Sequence, residues 1–286
     1  MKKLLFIWSF FAAASTVSAQ DFYNPANNTV GDLLHSSCCW LGQYKISGSF
    51  GGFYSKITYR KSDTEYTDYN RYGVSANLTV KFYKEFQIRL MFYGDLNQND
   101  KKPAWLSNLY YNIGNYDWHN KSFSYGYENY QPNRFDGSYN FLENMKRGFF
   151  FISYNYYLLG EEKNPWKLDE TSQIYITPFI RYQPEYTDRY GEKILGHHKI
   201  ILGYAARYVI WNNFYVEAAL YYYTSEKSKM PWDPDFTYGF GYFNWRSFKI
   251  NFSYGNWIAN RFPWNEKEMK NDFTNGELKL LLHFIW

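Results

Sequence analysis

Side chains 275–286 alternate with a period of two. Gly276, Leu278, Leu280, Leu282, Phe284 and Trp286 fall on one face, and Asn275, Glu277, Lys279, Leu281, His283 and Ile285 on the other. Period two is the mark of a β-strand. A strand with one apolar face that ends on aromatic residues fits the wall of a transmembrane β-barrel.

The composition agrees with a wall rather than a core. Aromatics make up 24% of the 286 residues, and tyrosine alone supplies 32 of them. Tyr and Trp gather where one end of a side chain is apolar and the other wet, as at membrane interfaces. The mean hydropathy of −0.59 averages over two faces. A barrel keeps such a value low because lipid-facing apolar residues alternate with polar residues of the lumen. Beyond the first twenty residues no apolar run approaches the roughly 18 that a spanning helix needs. A net charge of +4 is too small to argue for a nucleic-acid partner.

Residues 1–19 read as a secretory signal: Lys2 and Lys3, an apolar stretch 4–14, then Val17-Ser18-Ala19 as a small-residue cleavage site. Cleavage after Ala19 would leave Gln20 first. Residues 20–42 form an N-terminal segment, and 43–286 the barrel. The only cysteines, Cys38 and Cys39, are adjacent. They read as two idle thiols, a strained ring, or a bond to a partner protein. With its export signal, alternating aromatic-rich strands and final aromatic strand, the chain resembles Gram-negative outer-membrane barrels. That resemblance implies the outer membrane, with lipid or lipopolysaccharide as its surroundings.

Alternation and turn signals predict an all-β fold, a single antiparallel barrel of about twelve strands: 44–60, 71–83, 86–96, 105–114, 121–127, 147–158, 172–185, 197–210, 214–225, 236–244, 247–256 and 274–286. Gly48, Gly51 and Gly52 suggest a bulge or tight hairpin in the first. Long polar connections at 61–70, 97–104, 128–145, 226–235 and 257–273 alternate with short turns, as outer loops alternate with periplasmic turns. The stretch 159–171 is long on the short side.

Segment 86–135 also resembles segment 214–262. The first carries Lys102-Pro103-Ala104-Trp105, Phe123-Ser124-Tyr125-Gly126 and Asn133-Arg134-Phe135. The second carries Met230-Pro231-Trp232, Phe252-Ser253-Tyr254-Gly255 and Asn260-Arg261-Phe262. The interval is six strands, which suggests a six-plus-six duplication.

Strand parity sorts the faces, because Arg or Lys turned to lipid costs roughly 2–4 kcal/mol near the midplane. The lumen then receives Arg60, Arg71, Lys81, Arg89, Arg147, Arg181, Lys199, Arg207, Lys249 and Lys279, with Tyr221, against Asp95, Glu185, Glu217 and Glu277. Basic walls favour anions. Guanidinium groups beside tyrosine rings also suit acidic oligosaccharides. In this the chain is similar to small twelve-strand channels for acidic sugars, a physical likeness without a shared motif. The other reading pairs these charges with the four acids and fills a closed barrel.

At the outer loops, Trp105, Arg134, Trp232 and Arg261 are candidates for binding lipopolysaccharide phosphate or glycan. Alternatively they are interface anchors and turn-closing groups. A barrel-embedded lipid hydrolase or acyltransferase would need Ser and His together at the rim. The only weak candidate is His198, with Ser225 or Thr224 on the neighbouring strand. No metal-ligand spacing and no phosphate loop occur, so no cofactor is expected. The chain reads first as a narrow passive channel. The rivals are an enzyme at His198 and a non-conducting scaffold that docks a partner through 128–145 and 159–171.

Overall fold

Alternating apolar and polar residues carry the chain through twelve antiparallel strands that close on themselves. They are β1 (Lys45–Arg60), β2 (Tyr66–Lys81), β3 (Phe86–Asp95), β4 (Leu109–Asn115), β5 (Ser122–Asn133), β6 (Phe149–Tyr157), β7 (Gln173–Thr187), β8 (Ile194–Val209), β9 (Phe214–Tyr223), β10 (Phe236–Tyr242), β11 (Lys249–Asn256) and β12 (Gly276–Ile285). Each strand pairs with its sequence neighbours, and β1 pairs with β12. The only helices among the described residues are α1 (Phe141–Met145) and a 3₁₀ turn at Glu226–Ser228. This computed structural model describes residues 45–286 except 61–65, 83–84, 98–106, 118, 134–140, 159–171, 188–192, 211–212, 231–232, 245, 257–259, 263, 265–272 and 286. The export signal, Cys38, Cys39, Trp105, Arg134, Trp232 and Trp286 lie outside the described residues, as do 159–171 and the side chain of Arg60.

The two faces invert the pattern of a water-soluble core. Outward-facing Phe150, Ile152, Ile180, Leu202, Val216, Leu220, Leu278 and Leu280 are all exposed, Leu280 to 58%. Inward-facing Ser75, Gln87, Asn112, Ser153, Gln183, Asn251 and Glu277 are buried. Closure satisfies every strand edge, as a bilayer requires of a spanning sheet. The apolar exterior supplies the surface that lipid covers.

The apolar belt ends in hydrogen-bonded tyrosines that recur every third strand. Across β1–β2, Tyr54 donates its hydroxyl to Asn70 Oδ1 at 2.9 Å. Across β4–β5, Asn129 donates its side-chain N–H to the Tyr111 hydroxyl at 3.1 Å. Across β7–β8, the Tyr182 hydroxyl meets His198 Nδ1 at 2.8 Å. Across β10–β11, Asn256 donates to the Tyr238 hydroxyl at 2.8 Å. Tyr54 and Tyr182 make their bonds at exposed positions, the disposition that places Tyr at membrane interfaces, whereas Tyr111 and Asn129 are buried and Asn256 closes off the tip of Tyr238. Beyond Tyr54 the outer face turns polar: Lys56 pairs with Asp68 at 3.2 Å, and Thr58 donates to Asp68 at 2.7 Å.

Several strand ends differ from the sequence reading. β2 starts at Tyr66, so the connection expected at 61–70 contracts to 61–65. Polar residues 66–70 read as loop, yet they continue the ladder above the apolar belt. β4 starts at Leu109 rather than 105, and β5 runs on to Asn133 rather than stopping at 127. Between β4 and β5 the register shifts: Leu109 faces Asn133, while Tyr111 faces Asn129, so β5 carries two extra residues. β6 starts at Phe149, which leaves Arg147 in the connection, where its guanidinium donates to Asn144 Oδ1 at 3.1 Å.

The bulge or hairpin expected at Gly48–Gly52 is absent. β1 pairs without a register shift with both β2 and β12. Gly51 serves close approach instead: a Cβ there would lie 2.0 Å from the Leu280 carbonyl oxygen. Gly114 and Gly126 face each other across β4–β5 for the same reason, since a Cβ on Gly114 would come within 2.6 Å of the Gly126 Cα.

Candidate functional site

The inner wall is where charge collects, and most of that charge is paired. On β2, Arg71 is 2% exposed. It forms an ion pair with Asp95 on β3 and donates to the Ser107 carbonyl at 3.0 Å. Its guanidinium rests on the rings of Phe53 and Tyr93, 5.0 and 4.9 Å from their centroids. On β12, Lys279 pairs with Glu277 and donates to the Tyr93 hydroxyl at 2.5 Å. That hydroxyl donates to Glu277 Oε1 at 3.2 Å. A buried charge demands this degree of pairing, because the cost of leaving one uncompensated is several kcal/mol.

A second cluster sits at the rim beside β8 and β9. Lys199, also 2% exposed, pairs with Asp233. Asp233 accepts the Met230 N–H at 2.7 Å. Asp235 pairs with Lys229 at 2.6 Å and Arg261 at 3.3 Å, and it accepts the Phe262 N–H at 3.0 Å. Arg261 donates further to the Met230 carbonyl at 2.7 Å, and Tyr223 donates to that of Pro234 at 3.0 Å. The connection between β9 and β10 is thereby tied to an inward-facing lysine instead of standing free in solvent.

A third pair lies between β8 and β9. Arg207 donates through Nε at 2.9 Å and Nη2 at 2.6 Å to Glu217 Oε2, and it rests on the Tyr215 ring at 4.9 Å. The side chains of Arg207 and Glu217 are 41% and 36% exposed, so they face open space inside the barrel. Tyr221, also inward, packs on Phe179 with centroids 5.6 Å apart and reaches Thr237 Oγ1 at 3.3 Å. Lys81 is held by Glu85 beside the β2–β3 turn, and Lys249 lies exposed at the same end.

The wall formed by β3 to β7 is different. Arg181 on β7 lies 3.2 Å from Glu128 on β5 and rests on the Phe179 ring at 4.9 Å. Arg89 on β3 has no carboxylate within ion-pair distance among the described residues. It faces Asn112 on β4, which faces Glu128 on β5. Both Arg89 and Arg181 lie within electrostatic reach of the Tyr116 and Tyr130 hydroxyls.

Glu128, Asp233 and Asp235 are the acids that strand parity missed. All three fall in stretches too polar to read as wall. Glu128 belongs to the part of β5 that continues past 127, and the two aspartates are turned inward by their loop. Arg261 is not open to a loop ligand, because it is buried and its guanidinium is held by Asp235 and the Met230 carbonyl. Asn260 donates to the Asn256 carbonyl at 3.0 Å, and Phe262 packs at a tilt against Phe236 at 5.3 Å and stacks on Trp264 at 4.8 Å.

His198 is in the left-handed region, φ 61°, with its ring stacked on Tyr182. Among the described residues no hydrogen bond joins His198 to either candidate hydroxyl, and Thr224 Oγ1 bonds the Ile200 carbonyl at 3.3 Å instead. His198 thus has a tyrosine partner and, among the described residues, no hydrogen bond to a nucleophile. Among the described residues no group of three His, Cys, Asp or Glu side chains is placed to hold a metal ion.

No family model matches the chain, and no curated protein matches it. Among solved structures, it is similar to a triple mutant of the Rhodopseudomonas blastica porin, at 10% identity and a TM-score of 0.24 over 85% of this chain and 99% of that one. It is also similar to Pseudomonas aeruginosa OpdQ, at 8% identity and a TM-score of 0.30 over 85% of this chain and 98% of that one. Likeness at this level carries no detail of those proteins' activity over to this chain.

Proposed function

We propose that this barrel lies in an outer membrane and passes small solutes by diffusion, with a preference for anions and for acidic or neutral oligosaccharides. The observation that carries this reading is Arg89, part-exposed on the inner wall with no carboxylate within ion-pair distance among the described residues, while Arg181 and Arg207 are paired with Glu128 and Glu217. Cations that line a polar bore raise the local concentration of anions. The six-plus-six duplication belongs to the same proposal. It is supported by the tyrosine pairs, since Tyr54–Asn70 recurs at Tyr182–His198 and Tyr111–Asn129 at Tyr238–Asn256. The Asn108 N–H donates to the Asn133 carbonyl at 2.8 Å, and at the same interval Asp235 donates to that of Asn260 at 2.7 Å.

The test is a planar-bilayer recording under a salt gradient. Wild-type protein is expected to give stepwise currents that reverse toward the anion potential. Arg89→Glu is expected to move the reversal potential toward cations, and adding Arg207→Glu to move it further. A silent bilayer would favour a closed scaffold. Orientation is tested on intact cells: a protease site inserted at 61–65 should be cut from outside, and one at 83–84 should not. The opposite accessibility would invert the topology.

A further inference from the structure

Most charges on the inner wall are closed in: Arg71 and Lys199 are 2% exposed, and Glu277 is 3% exposed. Arg207 and Glu217 are not, and their pairing leaves much of both groups unused. Arg207 spends the Nε and Nη2 edge of its guanidinium on a single oxygen, Glu217 Oε2. A guanidinium carries five N–H donors in a fixed fork. Nη1 therefore keeps its donors, and among the described residues it has no hydrogen-bond partner; nor has Glu217 Oε1. The register sets the pair in a row at one level of the wall. Tyr175 on β7 faces Arg207 on β8, Arg207 faces Glu217 on β9, Glu217 faces Gly239 on β10, and Gly239 faces Gly255 on β11. Residues that face each other across a ladder share a side of the sheet, so all five lie on the inner face. Glu217 Oε1 leans over the first glycine, where a Cβ would lie 3.2 Å from it. In order, the wall presents a ring, a cation, an anion and a gap of two residues without side chains.

A pair this exposed adds little to stability, and a carboxylate beside Arg207 weakens the pull of that arginine on anions. What it does fit is an occupant that carries both charges. An anion alone is drawn by Arg207 and repelled by Glu217, and a cation alone meets the reverse. A zwitterion sets each charge against its opposite. The unused edge of the guanidinium matches the two oxygens of a carboxylate. Glu217 Oε1 accepts from an ammonium group, which brings three donors and no acceptor, and the glycine gap leaves room for that group to stand. The two receiving side chains come from directly paired residues, so the charges of the occupant must lie only a few bonds apart. We propose that Arg207, Glu217, Gly239 and Gly255 form a binding subsite for small zwitterions, such as an amino acid or a short peptide. The carboxylate lies on Arg207 and the ammonium group on Glu217, over the glycines. The subsite goes beyond the anion preference and rests on the channel reading only for how the solute arrives.

The test is a saturation-transfer NMR titration of the full-length barrel in detergent micelles at neutral pH, with L-alanine, propionate and ethylammonium as probes. Propionate lacks the ammonium group of alanine, and ethylammonium lacks its carboxylate. Alanine is expected to bind about tenfold more tightly than either, the usual worth of one hydrogen bond to a charged group. Single variants should reverse that ranking. Arg207→Gln leaves Glu217 without its partner and should bind ethylammonium at least as tightly as alanine. Glu217→Gln leaves Arg207 without its partner and should bind propionate at least as tightly as alanine. The double variant, Arg207→Gln with Glu217→Gln, strands no charge, so it stands in if a single variant fails to fold, and it should bind all three probes weakly and alike. Folding is read from the compact, heat-modifiable electrophoretic form. Equal affinity of wild type for alanine and either singly charged probe, or an alanine preference that survives in the folded double variant, would overturn the subsite. Binding in micelles does not depend on current, so the two proposals fail separately. A barrel that prefers alanine but stays silent in the bilayer supports the subsite and overturns the channel, and one that conducts without discriminating among the probes does the reverse.

Discussion

Lys199→Met is expected to destabilise the folded barrel by about 3–5 kcal/mol, the usual cost of removing one partner from a buried ion pair. Methionine fills much of the lysine's volume, so packing changes little. What changes is Asp233, left buried and charged with only the Met230 N–H to hold it. The β9–β10 connection loses its tie to β8, and a protease should cut within 224–235 sooner than in wild type. Adding Asp233→Leu removes the stranded charge and should restore most of the loss, because a buried pair replaced by apolar groups is often neutral or better. Recovery should fall short by about 0.5–1.5 kcal/mol, since the Met230 N–H then loses its acceptor. Urea unfolding in lipid vesicles measures both variants. A single variant within 1 kcal/mol of wild type would mean that Lys199 is less tightly enclosed than its exposure indicates.

Gly126→Val is expected to be worse tolerated than any substitution on the outer face. Its Cβ would fall 2.4 Å from the Ile113 carbonyl oxygen and 2.7 Å from the Gly114 Cα. Both obstacles are backbone, so relief requires β4 and β5 to separate. Overpacking of this kind costs roughly 1–3 kcal/mol and sometimes more, and here it also breaks a ladder that closes the barrel. The matched control is Gly52→Val, where the nearest atom, the Gly73 carbonyl oxygen, is 3.8 Å away. Valine suits an outward strand position, so the control should fold as wild type does. The readout is the fraction of refolded protein that runs as the compact form on unheated gels. Equal fractions for the two variants would refute the close approach of β4 and β5.

Much of this fold was legible because period two survives in every strand that crosses the belt. β12 shows it most plainly, with Leu278, Leu280 and Leu282 outward against Glu277, Lys279 and Leu281. Strand ends were less legible. Above the belt the outward residues turn polar, so 66–70 and 128–133 lose the contrast between faces on which the reading depends. That loss hid Glu128, which continues β5 with its carboxylate inward. Asp233 and Asp235 were hidden for another reason: no local pattern says which strand a loop will fold toward. Gly51 misled in the opposite direction, because close approach of a neighbouring strand and a bulge both call for glycine. Inward basic residues could be assigned by parity, whereas whether each had an acid beside it depended on register between strands.

Two of the tyrosine pairs bear on how the barrel floats. Tyr54–Asn70 and Tyr182–His198 make their bonds at exposed positions, six strands apart in a closed ring of twelve and therefore on opposite sides of the wall. A cylinder marked on one side only would list, sinking that side or lifting the other until apolar and polar bands matched on average. With a mark on each of two opposite sides, a tilt along the line that joins them drags one phenol tip into hydrocarbon and lifts the other out of the headgroups. The restoring force therefore acts about one horizontal axis. Losing one pair should let the barrel lean along that line, and losing both should leave it level but less firmly moored.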